Sequence, residues 1–218
     1  MPAHITERRS QPYFLVGITG NYGAGKSALA RIISETELVI NSDELARHLT
    51  ESDVGIRRSI RTEFGDEVFR TDGRLDREAL AGIVFADPGK RSRLNSMVHP
   101  AVIAEIIEIA ECEAKKGNRI IFVESALIYE SGIESMFDFI AVVIADEETV
   151  IRRLAQQRGE NPESIRVRIS SQLPPEQKAA RADFVVRNIA GKEELRKAAS
   201  LLLTLVASMA RRHESHCT

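Results

Sequence analysis

The sequence predicts an α/β fold: a parallel sheet of five strands with helices on both faces. Three observations carry that prediction. Five short runs of continuous apolar, β-branched and aromatic residues recur along the chain, the pattern of strands buried on both faces. Stretches of helical periodicity separate them, as crossovers between parallel strands require. Between the first run and the first helix lies Gly20-Asn21-Tyr22-Gly23-Ala24-Gly25-Lys26-Ser27, which fits G-x-x-x-x-G-K-[ST] in strand–turn–helix context.

The elements follow in order. Tyr13-Phe14-Leu15-Val16-Gly17-Ile18-Thr19 reads as the first strand, and Ser27-Ala28-Leu29-Ala30-Arg31-Ile32-Ile33 opens a helix with apolar residues at helical spacing. Leu38-Val39-Ile40-Asn41 is the second strand, and the helix after it runs from about Asp43 to Thr50 with Ser42 or Asp43 as its N-cap. A helical interval from about residue 43 to 117 then exceeds what a crossover needs. Its helices span roughly Ser52–Phe64, Arg77–Phe85, Lys90–Met97 and Pro100–Lys116, with turns at Gly65-Asp66 and Thr71-Asp72-Gly73. Arg119 to Glu124 is the third strand, Phe139 to Ala145 the fourth and Phe184 to Arg187 the fifth. A second helical interval, Glu147 to Arg181, precedes the fifth strand. It carries Arg152, Arg153, Arg158, Arg166 and Arg168 around a joint at Gly159-Glu160-Asn161-Pro162, as a lid over an anion would. Solvated helix faces look the same, one arginine at a time.

Bulk composition narrows the function classes. The chain has 218 residues and a net charge of −2, which leaves no basic footprint for nucleic acid, so phosphate chemistry must be local. Cys112 and Cys217 are far apart, which argues against a disulfide framework and suits a reducing compartment. No apolar run is long enough to span a bilayer and the first 12 residues are polar, so the expected setting is cytoplasmic with no membrane partner. Residues 1–12 read as a flexible segment and 206–218 as a polar tail. The tail's histidines and cysteine are assigned no metal.

The glycine-rich turn is the centre of the chemistry. Its backbone N–H groups converge on one point, and glycine permits an anion to approach the main chain. The helix N-terminus adds a positive dipole end. Gly20, Gly23, Ala24, Gly25, Lys26, Ser27 and Ala28 are therefore expected to bind ATP, with Lys26 on the β/γ-phosphates and Ser27 offering its hydroxyl to Mg²⁺. In a parallel sheet ligands bind beyond the carboxyl ends of the strands. Asp43 follows the second strand, where a carboxylate could take the proton of an attacking hydroxyl. Glu124 ends the third strand, where it could touch the acceptor or hold the metal through water. No N-K-x-D guanine motif occurs, which weakens a GTPase switch.

These strings, in this order, resemble the dephospho-coenzyme A kinase family from about Leu15 to Arg196. The resemblance rests on Gly17 to Ser27, Asn41 to Arg47, Phe64-Gly65 with Asp72 to Arg77, and Leu94 to Pro100. It continues in Ala126 to Gly132, Arg153-Leu154 with Gln157-Arg158, Gln172, and Ala182-Asp183 with Asn188. The resemblance implies transfer of the ATP γ-phosphoryl group to the ribose 3′-hydroxyl of dephospho-CoA, the last step of coenzyme A synthesis. By the same likeness Asp43 is the general base, and Arg153 stabilises the transferring group with Arg158 nearby on the nucleotide. His99 and Pro100 contact the acceptor, and Asn188 lies near the adenine. His99 also reads as a packing or capping residue ahead of a helix-starting proline.

The implied architecture is a P-loop kinase of the nucleoside-monophosphate-kinase type. One domain spans 13–205, with core segments 13–50, 118–146 and 182–205, a helical substrate module at 51–117 and a lid at 147–181. A monomer or small homo-oligomer is expected. The chain departs from the family at Asn41 for aspartate, Asn21 for glycine, Ala28 for threonine and Ala126 for proline. Asn21 is expected to need a different backbone angle, and the loop at Ala126 to be less rigid. The rival readings are a P-loop kinase for another nucleoside or nucleotide acceptor, and an ATP-binding regulator whose catalysis has lapsed.

Overall fold

A computed structural model describes residues 11–189 and 191–214. The expectations for residues 1–10 and for the His216 and Cys217 end of the tail lie outside the described residues. Two compact units are present, Asn41–Ile109 and the remainder of the chain.

The larger unit is built on the sheet. Its strands are β1 (Phe14–Gly20), β2 (Leu38–Asn41), β3 (Ile120–Glu124), β4 (Phe139–Ile144) and β5 (Phe184–Arg187), in spatial order β2-β3-β1-β4-β5. β1 pairs in parallel with β3, Ile18 opposite Glu124, and with β4, Gly20 opposite Val143. Every residue of β1 is buried, which is why its sequence shows no polar alternation. Alternate side chains still separate to two faces. Phe14, Val16, Ile18, Phe139, Ala141 and Val143 share one core cluster with Leu29 and Ile33 of helix α1 (Lys26–Ile33). Ile140 and Val142 point the other way, into a cluster with Ile128 and Tyr129.

The main cluster is closed by a helix that the sequence reading placed partly in a polar tail. This long last helix runs over Lys192–Glu214, well past residue 206. Leu195, Ala199, Leu202, Val206 and Ala210 form its buried stripe, at helical spacing. That stripe was available in the sequence, but the charged residues around it masked it.

The lid interval resolves into two helices, Glu147–Arg158 and Pro162–Ser170, and a short one at Pro175–Ala179. The expected joint is the break. Gly159 ends the first helix at φ 64°, and Asn161 caps the second through the N–H groups of Glu163 and Ser164, with Pro162 at its start.

The smaller unit is helical: α2 (Ser42–Ser52), α3 (Val54–Phe64), α4 (Arg77–Ala86) and most of α5 (Pro88–Lys115). The helices after it complete the numbering: α6 (Glu147–Arg158), α7 (Pro162–Ser170), α8 (Pro175–Ala179) and α9 (Lys192–Glu214). This unit occupies residues 41–109, whereas the sequence reading drew its substrate module at 51–117. Two local expectations also change. The N-cap of α2 is Asn41, whose Oδ1 accepts the N–H groups of Asp43 and Glu44 at 3.0 Å, and not Ser42 or Asp43. The helices expected on either side of Pro100 are one, with Pro100 inside α5. A proline there removes one intrahelical N–H, but the helix gains Val98, Val102, Ile106 and Ala110 as a buried stripe that spans the position.

Candidate active site

The glycine-rich turn joins β1 to α1, and its glycines are there for stated steric reasons. Gly20 has φ 146°, and a Cβ on it would lie 2.1 Å from the Val143 carbonyl oxygen. Gly25 has φ 107°, and a Cβ there would meet Asn188 Nδ2 at 2.3 Å. Asn21 needs no such freedom, because no non-glycine among the described residues has positive φ. Its side chain instead donates from Nδ2 to the Leu173 carbonyl at 2.9 Å.

Lys26 opens α1 and is buried, with Nζ donating to the Asn21 carbonyl at 3.1 Å. Ser27, the next residue, donates from Oγ to Glu124 Oε1 at 2.6 Å. Glu124 ends β3 and is itself buried, so a hydroxyl and a carboxylate converge beside the glycine-rich turn. No group of three or more His, Cys, Asp or Glu side chains suited to a metal exists among the described residues. Ser27 and Glu124 nevertheless fit Mg²⁺, a hard cation that takes few protein oxygens and completes its shell from water and phosphate.

Beside this turn is a cleft of about 420 Å³. Ala28 and Arg31 of α1, Arg153 and Gln157 of α6, and Asn188 after β5 contribute to its walls. Asn188 is buried, and its Nδ2 donates to the Ala24 carbonyl at 2.8 Å, so it braces the glycine-rich turn as well as lining the cleft. The sequence reading missed that bracing role and missed Gln157 as a cleft residue. Both stand in the strings that carry the family likeness, but only the fold shows what they touch.

The arginines of the second helical interval divide. Arg153 lines the cleft. Arg158 is not among the residues lining it and lies 3.7 Å from Glu160 Oε1, an ion pair at the helix joint. Arg166 pairs with Glu147 and Glu148. Arg168 donates to Tyr22 Oη at 2.7 Å, while that phenol donates to Glu160 Oε2 at 2.6 Å. Burial, followed by the Glu160 hydrogen bond, pushes the Tyr22 phenol up, which keeps it a proton donor. Tyr22 also packs against Val150, Ile151, Leu154 and Ile165, so the turn and helices α6 and α7 share one apolar cluster.

The remaining expected residues belong to the helical unit. Asp43 is exposed in the first turn of α2, directly after β2, with its N–H held by Asn41. His99 and Pro100 stand in the interior of α5, and His99 is half-buried rather than a cap ahead of a helix start.

Comparison with known proteins gives a consistent picture. A family model described as dephospho-CoA kinase matches residues 14–194. A protein of Anaeromyxobacter dehalogenans named dephospho-CoA kinase is 39% identical over 190 residues, 87% of this chain and 90% of its own length. The crystal structure of TT1252 from Thermus thermophilus superposes with a TM-score of 0.76 at 32% identity, covering 88% of this chain and 97% of that one. A dephospho-CoA kinase from Campylobacter jejuni shares the fold, with a TM-score of 0.65 at 24% identity and coverage of 89% and 97%.

Proposed function

Because the chain belongs to the dephospho-CoA kinase family, we propose that the cradle around Lys26 holds ATP for transfer of its γ-phosphoryl group to the ribose 3′-hydroxyl of dephospho-CoA. The products are coenzyme A and ADP, and the reaction completes coenzyme A synthesis. The observation that carries this reading is the meeting of Ser27 Oγ and Glu124 Oε1 at 2.6 Å beside the buried Lys26.

Phosphoryl transfer asks little covalent chemistry of the protein and much positioning and charge stabilisation. The N-terminal N–H groups of α1 and the glycine-rich turn hold the phosphates, and Lys26 neutralises charge on the β- and γ-groups. Ser27 and Glu124 would hold Mg²⁺, which when bound would supply charge to offset that developing on the phosphate oxygens. The adenine enters the cleft lined by Arg153, Gln157 and Asn188, and Arg153 brings a permanent positive charge from the lid to the nucleotide. Asp43 accepts the proton of the attacking hydroxyl. Its support is its place in the chain, directly after β2 at the carboxyl side of the sheet. His99 and Pro100 lie in the helical unit that accepts dephospho-CoA. Among the described residues no helix is long and apolar enough to cross a membrane. The enzyme works in the cytoplasm as a monomer or small homo-oligomer.

The test is formation of coenzyme A, followed by chromatography, from purified protein with ATP, Mg²⁺ and dephospho-CoA, with adenosine as control acceptor. Product from dephospho-CoA alone is expected. Product from adenosine instead would replace the acceptor, and ATP binding without product from either would sink the kinase reading.

A further inference from the structure

Lys178, on the short helix α8, is a fully buried cation outside the phosphate cradle. Its Nζ lies 2.8 Å from Glu130 Oε1 and donates to the Ala126 carbonyl at 3.2 Å, so it fastens the loop after β3. The same Glu130 Oε1 accepts the N–H of Leu173 at 3.0 Å. The carbonyl of Leu173 accepts Asn21 Nδ2 at 2.9 Å, and the preceding Gln172 accepts the Tyr22 N–H through Oε1 at 2.7 Å. The carbonyl of Asn21, a buried residue, accepts Lys26 Nζ. A path of polar contacts therefore runs from an ion pair whose lysine alone is fully buried, through the two-residue strap Gln172-Leu173, to the ammonium group that meets phosphate.

Stability is a weak reason for such a pair. Burying the Lys178 ammonium carries a desolvation cost that offsets its attraction to Glu130, so a pair of this kind is commonly no more stabilising than apolar residues of the same volume. What apolar residues cannot do is present a fixed acceptor to the Leu173 N–H. We propose that Glu130 and Lys178 are positioning residues for Lys26, acting through Leu173 and Asn21 to hold the first turn of the phosphate cradle in place. The proposal rests on the reading of Lys26 as the phosphate clamp.

The experiment compares the affinities of the full chain for ATP and for AMP, which lacks the β- and γ-phosphates that Lys26 meets. Affinities are measured well below each protein's thermal midpoint, with the midpoint and the kcat for dephospho-CoA recorded alongside. Three variants are needed: Asn21→Ala, Lys178→Met with Glu130→Leu, and Lys178→Met with Glu130→Gln. Loss of one positioning hydrogen bond predicts a fall of roughly tenfold in the ATP-to-AMP affinity ratio for the first two. The glutamine version keeps an oxygen for the Leu173 N–H, and its ratio stays within about twofold of the parent's, whatever its midpoint. Unchanged ratios in Asn21→Ala and in the leucine version, with only the midpoints lowered, would reduce the pair to a structural element. Equal losses in the leucine and glutamine versions would equally overturn the route through Leu173. A parent chain that does not prefer ATP over AMP is a different failure, because it removes Lys26 from the phosphates and the proposal with it.

Discussion

On the proposed reading Lys26 serves binding and Asp43 serves chemistry, so their variants should separate as well. Lys26→Ala removes the buried charge proposed to meet the phosphates, so both ATP affinity and turnover should collapse. Asp43→Asn keeps the shape and the α2 cap, which comes from Asn41. It should spare ATP affinity and lower kcat by about 10²–10⁴-fold, the usual range for a general base. Equal loss of ATP binding in Asp43→Asn would show a structural residue mistaken for a base. His99 gives a pH signature. Half-burial holds its imidazole below the ordinary value of about 6.5. The folded chain then binds fewer protons than the unfolded one over that window. The contribution to stability is full above the unfolded value and is lost as pH falls toward the lowered folded value. Between about pH 7 and pH 5 the thermal midpoint should therefore fall further in the parent than in His99→Gln. Parallel curves for the two proteins would remove the desolvated histidine as the cause. These residues differ in how legible they were. The lysine and serine follow from motif spacing, while the burial of His99 inside one continuous helix did not.

Among the elements, α9 is the one the sequence reading undervalued, and it makes a sharp prediction. Leu202 has no exposed surface and lies in the main core cluster, so Leu202→Ala should cost about 2–5 kcal/mol in denaturant unfolding. A loss under about 0.5 kcal/mol, the size of a surface change, would mean that the helix does not close the core. At the other end of the chain the cap of α2 is a single side chain. Asn41→Ala should lower stability by about 1 kcal/mol, whereas Asn41→Asp keeps the acceptor and should cost less. If the two variants unfold alike, the side-chain oxygen is not what holds the helix start. Charged residues explain why α9 was missed. Arg196, Lys197, Arg211 and Arg212 crowd its exposed side, and only the stripe of Leu195, Ala199, Leu202, Val206 and Ala210 beneath them reports a core helix.

For the whole molecule, nucleotide binding and folding are linked. The cradle and its cleft exist only in the folded chain, so ATP with Mg²⁺ at 100 times its Kd should stabilise the protein by about 2.7 kcal/mol. A rise in thermal midpoint with ATP and none with AMP at the same concentration would match a site that reads the β- and γ-phosphates. An equal response to both would say that the cleft around Arg153 and Asn188 supplies the affinity alone. The two compact units make calorimetry the better measurement, since it registers whether one transition or several respond to the ligand.

The strands were legible because β1, β3 and β4 are buried on both faces, and continuous apolar runs are the direct consequence of that burial. The cradle was legible because a turn that admits an anion needs glycine, lysine and a hydroxyl at set spacing, so its chemistry is written locally. The partners of that chemistry were not. Asn188 under Gly25 and Tyr22 between Glu160 and Arg168 are more than a hundred residues from their contacts in sequence, and Lys178 is also far along the chain from Glu130. Hydrogen bonds of a few ångströms leave no periodic trace over such separations. Folding alone brought those groups together, and it sent Arg158 to Glu160 and Arg153 to the cleft, though both sit on one arginine-rich helix.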